Sequence, residues 1–383
     1  MTATLSMADV MAWLQTEAVQ AQHPADLLAR LADRLLKAGL ALEAMTLELM
    51  TLHPLMAGTV FTWHRDSPTM LETPRFHDPF TPGPISTAEL PSQTARKRDD
   101  QSNLLLTVAF SDGNRHGLTA IASQQEGFSD KEVDDLRDIA KILAAPLEVL
   151  VQKQMTRTLM TTYLGKRTAE RVLSGTIRRG SSDSVHAVLW YSDLRGFTTL
   201  SENQPGDAVI TLLNSHFERL VAPIKAFGGE VLKFMGDGLL AIFPVDAAGS
   251  IEQASNQAIK SVRAARAGMA SLNGERRGRG ESALEFGVAL HLGNVMYGNI
   301  GAPDRIDFTV IGRAVNLASR LEALCKPLNC PVLLSPAFEN ACSTTLVSLG
   351  HHRLPDIAGP IEVYTLNEFA ARPKSDHQPT HLS

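Results

Sequence analysis

A chain of 383 residues is too long for one ordinary hydrophobic core and predicts two domains. Its formal net charge of −5 argues against the basic excess that a phosphate-backbone binder carries, so no nucleic-acid partner is expected. Three cysteines, Cys325, Cys330 and Cys342, fit no zinc spacing and cannot all pair, which predicts idle thiols in a reducing cytoplasm rather than a disulfide framework.

No charged and then apolar leader opens the chain, and no run reaches the roughly 18 apolar residues of a membrane span. Residues 8–38 predict two helices, with Leu27, Leu31, Leu35 and Leu36 at helical spacing. Residues 42–64 read as two strands around His53-Pro54. Residues 72–102, rich in Pro, Thr, Ser and charge, read as a long loop. Strands follow at 104–110 and 117–123 about a tight Asp112-Gly113-Asn114 turn. His53, His64, His77 and His116 have no ligand spacing and are expected to be structural or at the surface.

A long helix begins at Ser129, where Ser129 and Glu132 make the S-x-x-E pattern of a capping box. Val133, Leu136, Ala140, Leu143, Leu147 and Leu150 then recur at alternating three- and four-residue steps. That spacing has two readings: a coiled-coil seam joining two chains, or an amphipathic helix lying on its own sheet. Pro146 predicts a kink or one interrupted hydrogen bond. A short helix over 161–174 and a polar linker at 178–184 place a domain boundary near 180.

Beyond it the expected order is a strand over 185–192, a helix over 206–227, a hairpin of 230–235 with 239–243, and a helix over 251–272. A second hairpin joins 284–291 to 295–300 about Gly293-Asn294. A strand over 307–311 and a helix over 314–324 follow. The basic stretch 274–281 could reach phosphates but is expected to be a solvated loop, and residues 371–383 are expected to form a disordered tail. This β-α-β-β-α-β order is ferredoxin-like, with added strands.

Three stretches carry chemistry. Ser192-Asp193-Leu194-Arg195-Gly196-Phe197-Thr198 ends an apolar strand in an acid and a glycine turn, whose N–H groups can hold phosphate oxygens. Gly236-Asp237-Gly238 sets a second acid at a hairpin tip, beside the end of the first strand in such a sheet. Two carboxylates so placed can bind a pair of Mg²⁺ ions that also bridge a triphosphate. The third stretch runs from Phe308 to Arg320, with Asn316 and Arg320 at i and i+4 on one helix face.

Together these segments resemble the catalytic domain of class III nucleotide cyclases, from about 185 to 366. The carrying motifs are Tyr191-Ser192-Asp193-Leu194-Arg195-Gly196-Phe197-Thr198, Lys233-Phe234-Met235-Gly236-Asp237, and Gly312-Arg313-Ala314-Val315-Asn316-Leu317-Ala318-Ser319-Arg320. The family's first motif opens with Phe, where this chain has Tyr191. The resemblance implies conversion of ATP to cyclic AMP and pyrophosphate, with Asp193 and Asp237 binding two Mg²⁺ ions, for which Mn²⁺ would substitute. It implies that Leu194, Arg195, Gly196, Phe197 and Thr198 cradle phosphates through backbone N–H groups. Arg320 would stabilise charge on the α-phosphate, and Asn316 would orient the ribose.

Base choice falls to Lys233, a donor to adenine N1, and Thr309, an acceptor from the 6-amino group. Guanine presents N1–H and O6 instead. Threonine at 309 matches the threonine-type adenylate cyclases, a subgroup associated with bicarbonate stimulation, whereas guanylate cyclases carry glutamate at the place of Lys233. The resemblance further implies a homodimer whose sites each take the aspartates from one chain and Lys233, Thr309, Asn316 and Arg320 from the other. The chain departs from the pattern in its last hairpin, where the family's phosphate lysine is missing and Arg353 is the nearest cation.

The expected organisation is thus α+β/α/β. An N-terminal α+β GAF-like sensor domain (1–128) with an unknown effector leads to a signalling helix and linker (129–180), whose 129–160 part could also join the dimer. The cyclase domain (181–370) and the tail follow, in a cytoplasmic protein. The competing readings are a guanylate or dual-specificity cyclase, and a weakly active cyclase-like signalling module.

Overall fold

The computed structural model describes residues 5–51, 56–67, 69–76, 102–123 and 127–370. Met1–Tyr163 and Leu164–Ser383 form two compact units.

In the first unit, α1 (Met7–Thr16) and α2 (Pro24–Lys37) are the two helices expected over 8–38. Pro24 starts α2 with the backbone angle a first helical turn needs, and Leu27, Leu28, Leu31 and Leu35 form its buried stripe. Strands β1 (Leu42–Met50), β2 (Met56–His64), β3 (Leu71–Phe76), β4 (Asn103–Ala109) and β5 (Arg115–Ala122) make an antiparallel sheet in the order β3-β2-β1-β5-β4. Strand β3 corrects the expectation of a loop from residue 72. All six of its residues are exposed, so no buried face produces an alternation to read, and its edge position tolerates Pro74. The remainder of that loop, 77–101, lies outside the described residues, as do His77 and the His53-Pro54 turn. His64 is exposed, and buried His116 accepts from the Met50 N–H through Nδ1 at 3.2 Å.

Helix α3 (Asp130–Leu164) begins at the expected cap: the Ser129 N–H donates to Glu132 Oε2 at 2.8 Å and the Glu132 N–H to Ser129 Oγ at 3.4 Å. It continues through Pro146. Leu136, Ala140, Leu143, Leu147 and Leu150 are buried in one core with Leu31, Met45, Phe61 and Leu118. These positions are therefore used inside the unit, and a dimer seam along them is corrected: a side chain buried in its own core offers no surface to a second helix.

The second unit starts with α4 (Lys166–Leu173), separated from α3 by Gly165 at φ +82°. It begins ahead of the boundary read near 180. Thr168 and Ala169 are buried, and the Thr168 hydroxyl lies 2.7 Å from the Tyr297 hydroxyl. The polar residues 182–184 are likewise sheet, since β6 (Ser182–Leu194) pairs along its full length with β9 (Phe286–Ala302).

Between them come α5 (Phe197–Glu202), α6 (Gly206–Ala226), β7 (Glu230–Met235), β8 (Gly238–Pro244), α7 (Val245–Ala248) and α8 (Ile251–Gly278). After β9 follow β10 (Arg305–Ile311), α9 (Arg313–Ala323), β11 (Val332–Leu334), α10 (Pro336–Glu339), β12 (Leu346–Arg353) and β13 (Pro360–Leu366). The sheet order is β12-β13-β11-β9-β6-β8-β7, with β10 paired to β9. Its β9-β6-β8-β7 portion sets the fourth, first, third and second strands of the β-α-β-β-α-β run side by side, all antiparallel neighbours.

Both faces are covered, which is why β6 and β8 read as unbroken apolar runs. Val188, Trp190, Ala241 and Phe243 pack with Leu220 and Ile224 of α6 and Ala258 and Val262 of α8. Ala187, Leu189, Leu240 and Ile242 pack with Phe308 and Val310 of β10 and Ala314 and Ala318 of α9. His216 completes the buried stripe of α6, a core histidine that the apolar spacing does not reveal.

Two further expectations are corrected. The hairpin about Gly293-Asn294 is one continuous strand, β9. A Cβ at Gly293 would stand 2.8 Å from the Ala314 Cβ, so this glycine serves the close approach of α9 to the sheet rather than a turn. The hairpin that does form joins β9 to β10, pairing Arg305 with Ala302. Helix α8 also runs to Gly278, into the stretch expected as a solvated loop. Arg276 is buried there and donates to the Ser282 carbonyl at 2.8 Å, tying the helix end down. Cys325 and Cys330 are buried free thiols, and Cys342 is free and half-buried.

Candidate active site

Strand β6 delivers Asp193 to the sheet end, one residue past the Ser192–Leu239 pairing with β8. The β7–β8 tip closes with Met235 opposite Gly238. A Cβ on Gly238 would stand 3.1 Å from Asp193 Oδ1 and 3.2 Å from the Ser192 carbonyl oxygen. Its bare Cα lets the tip close on β6 and brings Asp237 against Asp193. Burial, together with the charge of Asp237 and a hydrogen bond to it, pushes the Asp193 carboxyl up to about 6. Two carboxylates crowded in this way suit a divalent cation. Among the described residues no third His, Cys, Asp or Glu completes a metal-holding group with them.

Glu322, on α9, is a further acid that sequence reasoning missed. Burial, with the charges of Asp193 and Asp237 beside it, pushes its carboxyl up to about 7, while Arg195 opposes that shift. Gly287, the β9 partner of Asp193, makes room for it: a side chain at 287 would collide with Glu322 Oε1. A glycine inside a strand was the available signal.

The turn after Asp193 differs from expectation. The Leu194 N–H donates back to the Asp193 carboxylate, and the Arg195 N–H donates to the Glu285 carbonyl at 2.7 Å. The N–H groups of Leu194 and Arg195 are thus engaged locally. The physical reason is that the β6–β9 pairing carries on to the edge of the turn. The Arg195 guanidinium also points away, donating to the carbonyls of Cys325 at 2.9 Å and Cys330 at 3.0 Å. Gly196, Phe197 and Thr198 remain, at the start of α5, which no side chain caps.

Lys233 projects from β7 at a bulge that breaks the register between Val231 and Lys233. Strict alternation would put it on the face of Val231, which packs toward α6 and α8. The bulge resets that phase, and the ammonium meets the Asp307 carboxylate on β10. Thr309 is two residues along β10 from Asp307, on the same face.

Asn316 is exposed on α9, one turn before Arg320. The Arg320 guanidinium donates to Asp356 Oδ2 at 2.6 Å. Asp356 lies in the β12–β13 turn, at φ +54°. The hairpin lacking the family's lysine thus supplies an acid that holds the arginine. The structure sets Asp193 against Asp237, places Lys233 against Asp307, two residues from Thr309, and carries Asn316 and Arg320 one turn apart on α9. Among the described residues no hydrogen bond or ion pair joins the first pair to the other two.

Residues 180–364 match the profile of the adenylate and guanylate cyclase catalytic domain. A terminal-differentiation-specific adenylate cyclase of Dictyostelium discoideum is 35% identical over 159 residues, 41% of this chain and 7% of that protein. An adenylate cyclase of Anabaena cylindrica is 31% identical over 163 residues, 42% of this chain and 31% of that one. The chain therefore spans less than a third of the length of either. The solved structure of a bacterial light-regulated adenylyl cyclase is 32% identical, covering 49% of this chain and 92% of that chain, with a TM-score of 0.41.

Proposed function

Residues 180–364 form a class III adenylate and guanylate cyclase catalytic domain, and from that premise we propose that the chain is an adenylate cyclase of the threonine type, converting ATP to 3′,5′-cyclic AMP and pyrophosphate. The observation that carries the reading is the crowding of Asp193 and Asp237 at adjoining strand ends.

These two residues would hold two Mg²⁺ ions, with Mn²⁺ able to replace them. When bound, the ions supply charge that acidifies the ribose 3′-hydroxyl and neutralises the triphosphate. The N–H groups of Gly196, Phe197 and Thr198 hold phosphate oxygens. Asn316 orients the ribose so that its 3′-oxygen faces the α-phosphorus. The bond from O3′ to the α-phosphorus forms as the bond to the β-phosphate oxygen breaks, and the hydroxyl proton departs to solvent. Arg320 stabilises the charge that builds on the α-phosphate. Lys233 donates to adenine N1 and Thr309 accepts from the 6-amino group.

Lys233 and Arg320 are engaged by Asp307 and Asp356 rather than by the carboxylate pair, which supports a site shared between two copies of the chain. One copy gives the aspartates and the other gives Lys233, Thr309, Asn316 and Arg320. We assign the first unit, an antiparallel sheet with three helices, the role of a GAF-like sensor acting through 129–180. Removing residues 1–163 should change the cyclase rate, and an unchanged rate would remove that assignment.

Base choice is tested by Lys233→Met, which keeps the stem and deletes the donor. A hydrogen bond to a charged group is worth about 1.5–3 kcal/mol, so the ratio of kcat/KM for ATP over GTP should fall roughly 10- to 100-fold. An unaltered ratio would show that Lys233 does not read the base.

A further inference from the structure

Arg320 carries the largest electrostatic task in the reaction above, yet its guanidinium is not free. It donates to Asp356 Oδ2 at 2.6 Å, its one ion pair among the described residues. Asp356 belongs to the turn that the paired residues Arg353 and Pro360 close between β12 and β13.

Two features set this contact apart from an accidental one. Asp356 stands at φ +54°, one of two non-glycine residues at positive φ among the described residues. Left-handed backbone costs energy in a residue that carries a side chain, and such strain concentrates at working sites. The carboxylate also passes over the nearest cation in the sequence. Arg353, three residues back, forms no ion pair among the described residues, whereas Asp356 reaches 36 residues back to α9.

The side chains of Arg320 and Asp356 are 28% and 80% exposed, so their pairing adds little to folding. Its effect falls on the site. An arginine stabilises phosphate through its positive charge and its open N–H donors. A carboxylate at 2.6 Å takes up one of those donors and offsets the charge. A triphosphate has the same sign of charge as Asp356, so the two compete for one guanidinium.

We propose that Asp356 is an autoinhibitory latch: it holds Arg320 in the empty site, and nucleotide must draw the arginine away before the α-phosphate is stabilised. The inference rests on the reading of Arg320 as the α-phosphate residue. Asp356 touches no substrate and acts through Arg320. In the shared site the α-phosphate belongs to a nucleotide seated on the aspartates of a second copy, so the latch opens only when the site is both assembled and loaded. It is closed in the free enzyme and open in the transition state, and kcat/KM compares those two states. An exposed ion pair shifts such an equilibrium by at most about fivefold.

The test measures initial rates of the full-length chain against ATP concentration, with melting temperature as the control. Asp356→Asn removes the charge and keeps a residue that tolerates left-handed backbone. It should raise kcat/KM for ATP roughly 3- to 5-fold and leave the melting temperature unchanged. Salt at about 0.5 M, which screens charges over about 4 Å, should narrow that gap to less than about twofold. An unchanged kcat/KM overturns the proposal. A lowered one also overturns it, since Asp356 would then be aiming Arg320 rather than withholding it. So does a gain that salt leaves intact, which would come from the shape of the turn. Arg320→Ala separates the inference from its premise. If Arg320→Ala lowers kcat/KM roughly 100-fold or more and Asp356→Asn brings no gain, the latch alone fails. If Arg320→Ala leaves the rate near wild type, the reading of Arg320 fails and the latch falls with it.

Discussion

Asp237→Ala is expected to abolish cyclic AMP formation, lowering kcat by roughly a thousandfold or more, equivalent to about 4 kcal/mol of transition-state stabilisation. The expectation follows from the tip geometry. Gly238 lets the β7–β8 turn close on Asp193 until the second carboxylate repels the first, an arrangement that is unfavourable without a cation between them. Removing Asp237 relieves that repulsion, so the variant should melt at the wild-type temperature or slightly above it. A dead variant with unchanged or raised stability identifies a functional carboxylate. A variant with wild-type turnover would show that the pair is only a strained turn.

Mixing two dead variants should restore activity. Asp237→Ala and Arg320→Ala each disable one half of a shared site, and in a two-fold dimer a mixed pair contains one site with both halves intact. Random association makes half of the dimers mixed, each with one working site of two, so an equimolar mixture should recover about a quarter of wild-type activity. Neither variant alone should show more than a trace. Failure of the mixture, with mixed dimers demonstrated by differential tagging, would place both halves of the site on one chain and contradict the shared arrangement.

Residues that act within sequence-local patterns are legible in the sequence itself. Asp193 ends an apolar strand, Asp237 sits between two glycines, and Asn316 and Arg320 share a helix face, so each stands in a recognisable context. Their partners are not legible. Asp307, Asp356 and Glu322 lie 74, 36 and at least 85 residues from Lys233, Arg320 and the two aspartates they meet, and nothing adjacent marks them as paired. Nor does sequence show that the N–H groups of Leu194 and Arg195 bond locally, to Asp193 and Glu285.

Glycine gives both the clearest signal and the clearest error of the fold. Gly238 does belong to a turn, while Gly293-Asn294, the same kind of signal, lies inside a 17-residue strand because α9 presses on it through Ala314. The α3 heptad shows a different limit. Three- and four-residue spacing states that a stripe is covered, and in this chain its own sheet covers it. Strand β3 escapes sequence reading because a fully exposed edge strand leaves no burial pattern.

Incubating the purified chain with ATP or GTP in the presence of Mg²⁺ or Mn²⁺, and identifying the cyclic nucleotide formed, decides between an adenylate cyclase and the other readings. The expected products are cyclic AMP and pyrophosphate from ATP, with little cyclic GMP from GTP. Cyclic GMP as the main product, or no product from either nucleotide with a demonstrably dimeric protein, would contradict the adenylate cyclase reading.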